Sequence, residues 1–190
     1  ADLYFEFDEG EITKIKNIFF NGNENIQNDE LKSLIKSKTK TLLNIFANNN
    51  YKKFEVENDI RLMKKYYENN GYIDIEISST IEYLKSNKVN IYFEINEGGK
   101  YLFKEISLQD TNSLLNNDLL EQINNEINNN LKPQDHYSIE KINELNNKIS
   151  DIIIANGIEF FEINSLERLE GTEVSILYNV ISVSPKYTNQ

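Results

Sequence analysis

The sequence predicts an α+β fold: two tandem β-α-α-β-β units, each a three-stranded mixed sheet packed by two helices. Three observations predict it. Phe93-Glu94-Ile95-Asn96-Glu97-Gly98 nearly repeats Phe5-Glu6-Phe7-Asp8-Glu9-Gly10, 88 residues apart, and Ile106-Ser107-Leu108 follows Ile18-Phe19-Phe20 at the same spacing. Long helical patterns stop at Gly71 and Gly157, 86 residues apart. After each of these glycines the apolar period changes from that of a helix to that of a strand. The expected organisation is therefore 1–9 as the last strand of a preceding unit, 10–98 and 99–184 as two units, and 185–190 as a tail or linker.

In the first unit, residues 12–20 read as a strand with Ile18 and Phe20 on one face, stopped by Asn21-Gly22-Asn23. A helix is expected with Asn28 as N-cap and Asp29-Glu30 in its first turn, where negative charge suits the dipole. Its buried stripe is Leu31, Leu34 and Ile35. Residues 38–50 form an extended connection, with Leu42, Leu43, Ile45 and Phe46 tucked against the core. The second helix runs over about 54–70 on the stripe Val56, Ile60, Met63 and Tyr67, and Gly71 ends it.

From Tyr72 the pattern alternates. Ile73, Ile75, Ile77, Ile81 and Tyr83 share one face, and Asp74, Glu76, Ser78, Thr80 and Glu82 share the other. Lys85-Ser86-Asn87-Lys88 turns the chain, and Val89, Ile91, Phe93 and Ile95 return it. The second unit repeats the order. Tyr101 to Leu108 forms its first strand, and Asn117-Asp118 caps a helix on Leu120, Ile123 and Ile127. After Pro133, Ser138 caps a helix on Ile142, Leu145, Ile149 and Ile152. Phe161, Ile163 and Leu166 lie on the next strand, Gly171 turns it, and Val174, Ile176, Tyr178 and Val180 return.

Composition narrows the function classes. The net charge is −11, from 20 basic and 31 acidic residues, with no basic stripe of the kind that releases counterions from a nucleic-acid backbone. Without cysteine there is no thiol catalysis, zinc–thiolate cluster or disulfide in these residues. His136 is the only histidine, beside Pro133 and Asp135, and reads as a solvated loop residue. Glu97-Gly98-Gly99-Lys100 lacks the upstream glycine and following Ser or Thr of a phosphate loop. Asn21-Gly22-Asn23-Glu24-Asn25 lacks the glycine and glutamate positions of a calcium loop. No catalytic, metal or cofactor residue is expected.

What remains is an array of sheets with open edges. If the third strand pairs with the first, it sits in the middle and the second becomes an edge. Its unpaired backbone groups can receive another chain by strand addition or be guarded against aggregation by charges such as Asp74 and Glu76.

The stretches Ile18-Phe19-Phe20-Asn21-Gly22-Asn23, Tyr66-Tyr67-Glu68-Asn69-Asn70-Gly71-Tyr72 and Phe93 to Gly98 resemble the POTRA (polypeptide-transport-associated) domains, in particular the tandem array of the BamA outer-membrane assembly factor family. The resemblance covers essentially the whole chain and is stronger over 10–98. The second unit has Gly157-Ile158 in place of Gly-Tyr and lacks the closing Glu-Gly.

It implies a non-catalytic array on the periplasmic face of the bacterial outer membrane. The implied partners are unfolded β-barrel precursors, accessory outer-membrane lipoproteins, neighbouring POTRA units and the membrane barrel of the same chain, with no cofactor. The implied partner-binding edge is Ile73, Asp74, Ile75, Glu76 and Ile77, with Phe160, Phe161, Glu162 and Ile163 in the second unit. Glu97, Gly98 and Gly99 are the expected interdomain hinge. A POTRA module of a related translocation or secretion factor, and a structural or adhesion repeat, are the alternatives.

Overall fold

The computed structural model describes residues 12–40 and 48–184. The expectations for Phe5 to Gly10, for Leu42, Leu43, Ile45 and Phe46, and for 185–190 lie outside the described residues. The chain forms two compact units, one of Ala1–Tyr66 with Ile75–Glu97 and one of Tyr67–Asp74 with Gly98–Gln190.

In the first unit, β1 (Lys14–Asn21), α1 (Asn28–Leu34), α2 (Lys53–Asn69), β2 (Glu76–Leu84) and β3 (Lys88–Asn96) follow the expected order. The sheet order is β1-β3-β2, with β1 parallel and β2 antiparallel to β3. Parallel neighbours cannot be joined by a tight turn, so the helices make the crossover, and the hairpin strand is left outside. Ser86 and Asn87 both take positive φ in that hairpin, which polar turn residues tolerate better than β-branched ones.

A bulge between Ile15 and Asn17 shifts the alternation of β1, so Ile15 and Phe20 are both buried although they stand five positions apart, an odd step that would put them on opposite faces of a regular strand. Phe20 stacks on Phe93 at 5.5 Å, and Leu31, Met63, Val89, Ile91 and Phe93 are all at 0 % exposure. Each such side chain contributes about 1.5–3 kcal/mol. On the opposite face the same parallel pairing aligns Asn17 with Asn90, Phe19 with Tyr92 and Asn21 with Glu94. These pairs make an amide–amide hydrogen bond, a ring stack and an amide–carboxylate hydrogen bond.

Several local expectations move by one residue or more. The N-cap of α1 is Gln27, not Asn28, because the Asn28 side-chain carbonyl is occupied by the Asn23 amide. The strand expected from Tyr72 begins at Glu76. Tyr72 is instead the closing residue of the α2 C-cap: its N–H donates to the Tyr67 carbonyl and that of Gly71 to the Glu68 carbonyl, with Gly71 left-handed at φ 95°.

In the second unit, β4 (Leu102–Asp110), α3 (Asn117–Asn130), α4 (Ile139–Ala155), β5 (Phe161–Glu170) and β6 (Glu173–Ser182) repeat the pattern with sheet order β4-β6-β5. A bulge between Phe103 and Ile106 stands where β1 has its own. Asn116 rather than Asn117-Asp118 caps α3, its side-chain oxygen accepting from the Leu119 N–H. The buried stripe accordingly runs Leu119, Ile123, Ile127, with Leu120 only partly covered. Ser138 caps α4 as expected, and Ile153 replaces Ile152 as the last fully buried residue of its stripe.

Gly22 carries a constraint that its neighbours do not. It is left-handed at φ 85°, and a Cβ there would lie 2.0 Å from the Ile95 carbonyl oxygen, a backbone atom that cannot swing away. Gly22→Ala is expected to cost at least about 3 kcal/mol. Gly157→Ala, equally left-handed at φ 81° but in open space, is expected to cost about 1–2 kcal/mol. Urea unfolding of the two variants checks the difference.

Candidate protein-docking edges

Among the described residues β2 and β5 each have one strand neighbour, and none of those residues adds a strand to the backbone N–H and C=O groups on the outer side of either. Along β2, Ile77 turns inward while Glu76, Ser78, Thr80 and Glu82 are exposed. Glu82 does not guard the edge. Its carboxylate accepts from Asn90 and Tyr92 across the outer sheet face, and those two hydrogen bonds hold it below the usual carboxylate range. Tyr83, 71 % exposed, meets Tyr51 edge-on at 6.4 Å. A cavity of about 450 Å³ flanks the start of β2, between Lys64 of α2 and the strand residues Glu76, Ile77 and Ile95.

Only part of the expected edge lies on this strand. Glu76 and Ile77 belong to β2, whereas Ile75 is buried just before it and Ile73 and Asp74 form a turn. Within the second unit Ile73 packs on the core, and the Asp74 carboxylate accepts from the Tyr101 hydroxyl at 2.7 Å. The continuous accessible edge is therefore Ser78 to Tyr83. Phe161, Glu162 and Ile163 open β5, which runs on to Glu170. Phe160 precedes the strand, is 51 % exposed, and has its carbonyl engaged by the Val183 N–H.

Of the expected hinge residues, Glu97 is fixed to the first unit. It is 6 % exposed, and its carboxylate accepts from the backbone N–H and side-chain amide of Asn25, the latter at 2.6 Å. The Glu of the repeated Glu-Gly thus ties the end of β3 to the loop after β1. Gly98 is left-handed at φ 66°, and a Cβ there would meet the Asp74 Cβ at 3.0 Å.

Sequence reasoning passed over Asp59. On α2 and at 0 % exposure, it accepts from the Lys36 and Ser37 N–H groups at 2.6 and 3.0 Å and fixes the chain leaving α1. Its only signal was an acid beside the apolar stripe.

His136 is not a solvated loop residue as expected. It is half-buried, pairing by a backbone bridge with Leu102, and burial together with Lys141 and Lys100 lowers its pKa. Among the described residues no cluster of three or more His, Cys, Asp or Glu could hold a metal ion. No helix among them is long and apolar enough to cross a membrane.

Two consecutive units of this order, each with its second strand on the outside of its sheet, make a tandem of α+β modules. A model of the POTRA family, described as a surface antigen variable number repeat, matches residues 13–98. That match spans the strands and helices of the first unit, and the second unit repeats its element order and strand order.

The chain is similar to POTRA domains 3–5 of BamA from Haemophilus influenzae, with TM-score 0.61 and 19 % identity over 90 % of this chain and 66 % of that one. BamA from Haemophilus ducreyi lacking POTRA domains 1–3 is matched with TM-score 0.59 and 13 % identity, over 91 % of this chain and 30 % of that one. POTRA domains 1–2 of the periplasmic domain of Omp85 from Anabaena are matched with TM-score 0.54 and 8 % identity, over 93 % of this chain and 99 % of that one. At these identities the likeness is one of fold. The chain spans 66 % and 30 % of the two BamA structures. No curated protein sequence matches it.

The His136 environment has a thermodynamic consequence. Its pKa is lower in the folded chain than in the unfolded one, so the unfolded state takes up the proton first. Stability is full above the ordinary histidine value of about 6.5 and falls as the pH drops below it. Thermal unfolding at about pH 7.5 and pH 5.5 is expected to show a loss at the lower pH that His136→Gln reduces.

Proposed function

We propose that this chain is a periplasmic segment of an outer-membrane β-barrel assembly factor. In this reading it is a non-catalytic array that receives unfolded barrel precursors by strand addition and scaffolds accessory outer-membrane lipoproteins. The remainder of the array and the membrane barrel belong to the same polypeptide. The observation that carries the reading is the open side of β2, Ser78 to Tyr83, in the unit that the POTRA family model matches. A free strand edge binds extended polypeptide through the backbone, so it tolerates many sequences. That tolerance suits a receiver of varied precursors. The likeness in fold to BamA and to the periplasmic domain of Omp85 supports the compartment and the barrel.

The same reading makes the junction after Glu97 a hinge. With Glu97 held by Asn25, bending falls on Gly98 and Gly99, which have no side chains to lock it. Gly99→Pro is expected to narrow the spread of interdomain angles seen by solution scattering. An unchanged spread removes the hinge.

Titrating the chain with an extended peptide copied from a barrel strand is expected to move the amide resonances of Ser78 to Tyr83 at micromolar to millimolar concentration. The same peptide with alternate amides N-methylated is expected to bind at least about tenfold more weakly, because the backbone does the bonding. A flat response at β2 and β5 rules out strand addition and leaves lipoprotein scaffolding as the role.

A further inference from the structure

Among the described residues β1, like β2, has one strand neighbour, so it forms the other edge of the first sheet. Its opening residues are covered, since the Ile15 N–H donates to the Asn49 carbonyl and the Tyr51 N–H to the Thr13 carbonyl. Past the bulge no hydrogen bond from another described segment covers that side. Ile18 and Phe19 there border a cavity of about 440 Å³, whose other wall is the end of α1 and the chain beyond it: Lys32, Ile35, Ser37 and Lys38.

Two features of that wall point to a ligand. Ser37 is 2 % exposed and its hydroxyl has no hydrogen-bond partner among the described residues, because the Asp59 carboxylate that fixes this turn takes the backbone N–H instead. A buried hydroxyl left unmatched is costly and rare, and a docked polar group would satisfy it.

The second feature is charge. Residues 31–40 carry four lysines and no acid, in a chain of net charge −11. Lys38 spends two of its three donors on the Lys32 and Ile35 carbonyls, which keeps its ammonium at the cavity wall. Lys32 pairs with Asp29, three residues away and exposed, a contact that an incoming anion can displace at little cost.

We propose that this groove docks an extended acidic segment of another polypeptide, which adds to the free side of β1 and sets carboxylates against Lys32 and Lys38. A strand edge selects an extended backbone, Ile18 and Ile35 offer apolar contact to alternate side chains, and the lysine rim selects acids over bases. The inference stands apart from the β2 reading, since it concerns the opposite edge of the sheet and a different class of sequence.

The test uses the whole chain and two synthetic peptides of alternating valine and charge, one with aspartate and one with lysine. The aspartate peptide is expected to move the resonances of Asn17 to Phe19 and of Ser37, at least about tenfold more tightly than the lysine peptide, with affinity falling as salt rises from about 20 to 300 mM. Lys32→Glu is expected to weaken it roughly fivefold while leaving the shifts of a barrel-strand peptide at Ser78 to Tyr83 unchanged. Ser37→Ala is expected to raise the melting temperature of the free chain and yet lower peptide affinity roughly fivefold, a pairing that a purely structural serine would not produce.

Equal affinity for the two peptides, or shifts confined to β2, would overturn the proposal. So would the absence of shifts at β1, whether the groove is taken by residues 41–47 of the same chain, seen as contacts to Ile18 in the free protein, or by a second copy, seen as a dimer in sedimentation.

Discussion

Parallel pairing of the first and third strands of each unit is the constraint from which the rest of the architecture follows. A parallel neighbour cannot be reached by a hairpin, so the chain must cross one face of the sheet, and two helices make that crossing. The helices cover that face and supply half of the core, Leu31 and Met63 in the first unit and Ile123 and Leu145 in the second. The remaining strand is joined to the central one by a hairpin, and the only place left for it is outside. An open edge on β2 and β5 is therefore a product of the topology. The outer face reflects the same pairing, since the Asn17–Asn90, Phe19–Tyr92 and Asn21–Glu94 contacts all exist because β1 and β3 run in the same direction.

The repeated sequence features turn out to be closures. Gly71 and Gly157 end the long helices with the same pair of hydrogen bonds, from the glycine and from the residue after it back to the last helical turn. Glu97 reaches from the end of β3 to the Asn25 loop and satisfies three contacts with one carboxylate. Asp59 does the same for the chain leaving α1. A small sheet with helices on one face has little core to spare, and these buried carboxylates hold loops that apolar packing does not reach.

Three of the differences from the sequence reading are local and share a cause. Asn28, Asn117 and Tyr72 each sit where two roles are possible for the same residue type. Asn28 could cap α1 or receive the Asn23 amide, and it receives the amide. Asn117 follows another asparagine, and it is Asn116 whose side chain reaches the Leu119 N–H. Tyr72 continues the alternation of the strand and yet completes the cap of α2, which delays the strand to Glu76 and moves the accessible edge toward Ser78. His136 read as a loop residue because a backbone bridge to Leu102, 34 positions earlier, leaves no trace in local pattern.

The sequence by itself determined the number, kind and order of the elements in each unit, because apolar periodicity and glycine placement are local and are imposed by burial and backbone sterics. It left the strand order conditional on the third strand pairing with the first, and the structure has that pairing in both units. Only the tertiary structure decided which backbone groups stay open and which polar side chains are taken. Those outcomes depend on neighbours distant in the chain: Asn49 over the start of β1, Tyr101 against Asp74, Asp59 beneath Ser37. An edge or an unmatched hydroxyl is defined by what fails to reach it, and that is a property of three-dimensional placement rather than of any one stretch of sequence.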